Sequence, residues 1–168
     1  MGKALHHQNE KGITLIELLA VIVILGIVAA IAVPAIGNLI ENAKKDAIIA
    51  NAQNMVDATR LLSVSKSGFS PSDGHMTFVP LGYLVSEGYM NKFSKHGLEV
   101  YAQNTQDQPT KNHVDTNWTN ENNTYVVIEN NGGKIEYYVR IVLHNNHLVL
   151  PYKNINDVNR DDITLHNY

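Results

Sequence analysis

Glu17 is a carboxylate placed where a chain has least use for a charge. It stands directly before Leu18 to Ile36, nineteen residues without a charged side chain. An acid at the threshold of an apolar helix costs on the order of a few kcal/mol in membrane insertion, so an intramembrane acid is read as functional and its partner sought. A plain anchor gains nothing from it, and Leu or Ala would be expected there. A cut before Ile13 supplies a partner, because it frees an α-amino group four residues upstream of Glu17. Between two copies of the chain, that ammonium on one could neutralise Glu17 on the other. Within one helix the two groups meet only with distortion, since the first-turn N–H groups point along the axis.

Other chemistry is sparse. The chain has no cysteine, no glycine-rich phosphate loop and no Gly-x-Ser-x-Gly elbow, so no catalytic residue and no cofactor is assigned, and the reading is of a non-enzyme. His144 and His147 bracket a hairpin turn and would share a metal only if a third ligand approached; they are read as turn residues. Asp157, Asp161 and Asp162 match no calcium-loop spacing and are read as a solvated tail, so no metal ligand is assigned. The net charge of −3, from 13 basic and 16 acidic residues, leaves no basic patch, and nucleic acid is not expected as a direct ligand.

The elements that must position Glu17 follow from the pattern. At about 1.5 Å per residue, a helix over the uncharged run matches the ~30 Å hydrocarbon core of a bilayer. The remainder of the 168 residues is polar and sufficient for one domain. A polar start, an apolar run and a polar domain fit three devices: a cleaved secretory signal ending near Ala30-Ile31-Ala32, a permanent single-span anchor, or a precursor cut ahead of the run so that the run stays in the product. Glu17 favours the third.

Lys11-Gly12-Ile13-Thr14-Leu15-Ile16-Glu17-Leu18-Leu19 resembles the type III signal of type IV pilins and type II secretion pseudopilins. Gly26 and Pro34 fall where that family places its helix-loosening Gly and Pro. The resemblance covers residues 11–50. It implies that a prepilin peptidase cuts between Gly12 and Ile13, that Ile13 becomes an N-methylated terminus, and that Thr14 and Glu17 belong to the assembly site. The family more often carries Phe or Met at the position of Ile13. It further implies a precursor in the cytoplasmic membrane with its leader inside, then a surface filament. Lys44 and Lys45, just beyond the span, blunt the charge signal of Lys3 and Lys11, so this orientation rests on the resemblance. The implied partners are other copies of the chain, the peptidase, and an assembly ATPase with its platform protein.

Past Pro34 the pattern turns amphipathic. Ile36, Leu39, Ala43, Ala47 and Ala50 form one stripe, and Ile48, Ala52, Met55, Thr59 and Leu62 another. The expected division is a leader at 1–12, a membrane or filament-core helix half at 13–36, an amphipathic half at 37–64 and a globular head at 65–168. In the head, 65–74 reads as loop, Leu81 to Tyr89 as a short helix capped at Gly88, and 98–102 as a strand. Asn104 to Asn123 reads as a long surface loop. Tyr125 to Glu129 and Lys134 to Leu143 read as a hairpin about Asn130-Asn131-Gly132-Gly133, with Ile135, Tyr137, Val139, Ile141 and Leu143 facing the long helix. Leu148-Val149-Leu150 reads as a strand that Pro151 marks as an edge or an end. The sum is an α+β fold, a long helix packed on an antiparallel sheet of three or four strands.

Three functions remain open: a type IV pilus subunit, a pseudopilin of a secretion or competence (DNA uptake) system, and an exported binding domain with an ordinary signal or anchor.

Overall fold

The computed structural model describes residues 14–91, 94–95, 98–99, 109–113, 124–143 and 147–165. Gly12, Ile13 and His144 therefore lie outside the described residues. The chain divides into two units, 1–40 and 41–168.

Helix α1 runs from Leu15 to Ser65 and contains Pro34. In the first unit its large apolar side chains, from Leu15 to Ile40, are all 51–85% exposed. In the second unit α1 buries Ile48, Ala52, Met55, Val56, Ala58, Thr59 and Leu62. Every member of the second predicted stripe is thus in the core, where each large apolar side chain contributes roughly 1.5–3 kcal/mol by leaving water. The first stripe is the opposite case: Ile36, Leu39, Ala43, Ala47 and Ala50 are all exposed.

Five strands form one antiparallel sheet. They are β1 (His75–Pro80), β4 (Thr110–His113), β5 (Tyr125–Asn131), β6 (Lys134–Leu143) and β7 (His147–Asn154), in the order β4-β1-β5-β6-β7. Two short strands, β2 (Ser94–Lys95) and β3 (Leu98–Glu99), pair with each other as a separate two-stranded ladder among the described residues. The α+β plan holds, with four strands of six to ten residues and a fifth of four residues on one edge. That fifth strand corrects the reading of 104–123 as loop throughout, since Thr110–His113 pairs with β1. Of the strand expected at 98–102, only Leu98–Glu99 is a described strand.

Strand β1 departs furthest from expectation. It lies between β4 and β5, pairing with β5 from His75↔Asn130 to Pro80↔Tyr125. Its alternation is complete: Thr77 and Val79 share one face, Met76 and Phe78 the other. Val79 joins Leu62, Phe69 and Ile128 on the side of α1, whereas Phe78 joins Tyr125 and Val127 in a separate cluster. Pro80 ends the strand and is the N-cap of α2 (Leu81–Ser86). This helix stops at Ser86, short of the expected Tyr89, yet the cap falls where predicted. Gly88 takes φ 78°, its N–H donates to the Val85 carbonyl at 3.1 Å, and the Tyr89 N–H donates to the Leu84 carbonyl at 2.9 Å. This is a Schellman closure, which favours glycine at that residue.

The β5–β6 hairpin turns on Gly132 and Gly133, at φ 63° and 81°, as a two-residue connection between Asn131 and Lys134. On β6, Val139 and Ile141 belong to the cluster of Ile48, Ala52 and Met55, and Tyr137 packs against it beneath the Arg60 guanidinium, 4.7 Å from the ring centre. Ile135 was expected on this face but is 40% exposed, because the covered stripe ends one pleat short of the turn. Strand β7 is the sheet edge expected from Pro151 and continues through it. Its register slips between Ile141↔Leu150 and Val139↔Lys153, so the proline sits where a bulge relieves the ladder of its missing N–H.

Residues 155–165 are folded onto the head and Asp162 is half-buried, which corrects the reading of a solvated tail there, although Asp157 and Asp161 are exposed. Ile155–Asp157 and Arg160–Asp162 form 3-10 turns, Ile155 and Ile163 are buried, and the Thr164 N–H donates to the Val149 carbonyl at 3.0 Å.

Candidate functional site

The start of α1 is built from four consecutive residues, Thr14-Leu15-Ile16-Glu17. The Thr14 hydroxyl accepts the Glu17 N–H at 3.3 Å, and a Glu17 carboxylate oxygen accepts the Thr14 N–H at 2.8 Å. Two first-turn N–H groups without helical partners are satisfied reciprocally, a capping box. Both side chains are exposed. The signal was present in the sequence as Thr-x-x-Glu, and it corrects one premise. A carboxylate at position 17 does have a local use even in a plain anchor, because it caps its own helix. The second oxygen of Glu17 has capacity for a further donor, since a carboxylate offers about four acceptor sites.

Below this cap, no residue of the most apolar stretch of α1 is buried within the chain. Length and composition make α1 the one helix able to cross a membrane among the described residues. Gly26 lies inside it, and a Cβ built there would meet nothing within 4 Å. The glycine is therefore not required by packing within the chain. Pro34 interrupts the backbone hydrogen-bond ladder by lacking an N–H, but the helix continues through it. The structure brings Thr14 and Glu17 into contact, places Gly26 and Pro34 along the same exposed segment, and does not describe Gly12 or Ile13.

Of the three acidic residues of the tail, Asp162 is a structural anchor, whereas Asp157 and Asp161 are exposed. Asp162 accepts from Lys153 Nζ at 2.5 Å and from the Asn159 N–H at 2.9 Å, both of which hold its carboxyl below the usual carboxylate range. Arg160 grips Asp46 with two bonds of 2.6 Å, Nε to Oδ1 and Nη2 to Oδ2, and this lowers the Asp46 pKa. Among the described residues no three His, Asp or Glu side chains converge as a metal site.

Comparison with known proteins decides the reading of the N-terminus. The prokaryotic N-terminal methylation motif matches residues 7–33. The chain carries a prepilin signal. The match spans the Gly12–Ile13 junction, the Thr14–Glu17 box and the apolar segment through Val33. The motif indicates a type IV pilin-like or pseudopilin precursor. A prepilin keeps its apolar helix after processing, which fits a segment exposed along its whole length. No curated protein and no solved structure gives a match.

Proposed function

We propose that this prepilin is a structural subunit of a type IV pilus-like surface filament. In this reading the leader 1–12 is removed between Gly12 and Ile13, Ile13 is N-methylated, and the helix half at 13–36 anchors the precursor in the cytoplasmic membrane before assembly. The amphipathic half at 37–64 then carries the head at 65–168 on the fibre. The single observation that supports it most is the methylation motif at 7–33 ending within an apolar helix that the chain itself leaves uncovered. An exposed apolar face of that extent calls for a membrane or for other subunits, and repeated head-to-tail contacts produce a helical fibre.

The partners in this reading are other copies of the chain, the prepilin peptidase, and an assembly ATPase with its platform protein. Thr14 and Glu17 form the assembly site, with Glu17 meeting the Ile13 ammonium of a neighbour. Gly26 and Pro34 give the packed helix room to loosen. A pseudopilin of a secretion or competence system shares the same N-terminal device and is the alternative outcome.

N-terminal sequencing of the mature protein tests the processing step. The expected sequence starts at Ile13, with a methylated first residue. A start at Val33 or Ile36 would mean an ordinary signal peptide and would end the filament reading. Electron microscopy of sheared surface fractions then separates long fibres from a short pseudopilus.

A further inference from the structure

We propose that residues Ile155–Leu165 act as a strap that opens and recloses on α1 without unfolding the sheet, and so sets how much apolar helix the head exposes. The inference concerns the second unit alone and does not depend on which filament the chain builds.

The strap has an apolar underside. Ile155 and Ile163 are buried in the same cluster as Ile48, Ala52, Met55 and Val56, and Val158 and Leu165 pack against it. It has a clasp, the two-pronged contact between Arg160 and Asp46. It has internal bracing: Asn159 and Asp162 form a reciprocal capping box, and Lys153 holds Asp162 from β7. One backbone bond joins its far end to the sheet, from the Thr164 N–H to the Val149 carbonyl.

The clasp and the two turns are individually weak. The clasp side chains are 53% and 50% exposed, and exposed ion pairs hold little free energy and are screened by salt. The two turns are 3-10, with poorer hydrogen-bond geometry than an α-helix. An open groove of about 420 Å³ runs between strap and helix, lined by Gln53, Val56, Asp57, Arg60, Ile155 and Val158, so water reaches the edge of the strap. Strands β5 and β6, by contrast, pair continuously from Tyr125↔Arg140 to Asn131↔Lys134. A segment with few cross-links and exposed bonds opens at lower cost than a core hairpin. When it opens, Ile155 and Ile163 leave the cluster that holds Ile48, Ala52 and Val56 of α1.

Native-state hydrogen exchange on the full chain in detergent micelles tests this. The Thr164 amide should exchange through a local opening, at least tenfold faster than the Val127 and Ile128 amides. Arg160→Gln, or 1 M NaCl on the unaltered chain, should speed Thr164 a further two- to fivefold and leave Val127 and Ile128 unchanged. Because the chain has no cysteine, Ile48→Cys gives a second readout free of background thiols. Its maleimide labelling should outpace that of Val126→Cys and accelerate with Arg160→Gln. Equal exchange at Thr164 and Ile128, or no response to either loss of the clasp, would overturn the proposal.

Discussion

The Thr14 N–H occupies one oxygen of Glu17 at 2.8 Å, and the proposed cut after Gly12 leaves that donor in place, because Thr14 keeps its peptide bond to Ile13. Capping and pairing with a neighbour's ammonium are therefore compatible, and substitutions can separate them. Gln at 17 still offers an oxygen to the Thr14 N–H but carries no charge. Ala at 14 removes the hydroxyl acceptor, at about 1 kcal/mol of helix-end stability, and leaves the carboxylate. Glu17→Gln and Glu17→Ala should both be processed and retained in the membrane, with sheared fibre reduced about tenfold or more. Orphaning one member of a desolvated pair costs about 3–5 kcal/mol. Thr14→Ala should lower fibre yield far less. Normal fibre from Glu17→Gln would reduce the carboxylate to a helix cap.

At the scale of elements, α1 presents two apolar stripes that look alike in sequence but differ in burial. Met55 is fully buried, whereas Leu39 is 68% exposed. Met55→Ala should lower the stability of the head by about 2–5 kcal/mol in denaturant titration, and Leu39→Ala by no more than about 0.5 kcal/mol. An equal effect would mean that the head already covers the first stripe. Which stripe faces the sheet was legible only once the sheet was known, since both satisfy the helical period. Strand β6 was read to its observed ends because alternation and a glycine pair defined it on both sides. Strand β1 was missed for the converse reason. Its six residues lie between a Gly-Pro-Ser loop and a helix, and Pro80, which looks like a strand breaker, serves as the boundary. The strap was unreadable because its partners are distant in the chain: Ile155 and Ile163 pack in a cluster with Ile48 and Met55, and Arg160 meets Asp46, 114 positions earlier, which no local pattern encodes. At the candidate site, the charge of Glu17 was legible and its cap was overlooked, although Thr-x-x-Glu is a local signal.

For the molecule as a whole, charge pairs on the head make its stability depend on pH. Asp46 beside Arg160, Asp162 beside Lys153 and the Asn159 N–H, and Glu136 beside Lys134 all have pKa values below the ordinary carboxylate range. A depressed folded-state pKa adds stability that is present above the unfolded value near 4 and is lost as pH falls through the lower folded value. At the other limit, Glu87 raises the Lys66 pKa, Glu136 raises that of Lys134, and burial raises that of the Tyr152 phenol. Those contributions are complete below the unfolded values near 10 and are lost as pH rises through the higher folded ones. The thermal midpoint of the head, followed by near-ultraviolet tyrosine dichroism, should be level from about pH 5 to pH 9 and fall on both sides. Asp46→Asn removes one acidic titration, so its midpoint should be lower at pH 7 and should converge on that of the unaltered chain near pH 2. The part of the acid limb that Asp46→Asn removes is thus the signature of the clasp at Arg160. A midpoint unchanged between pH 7 and pH 3 would mean that these pairs are not formed in solution.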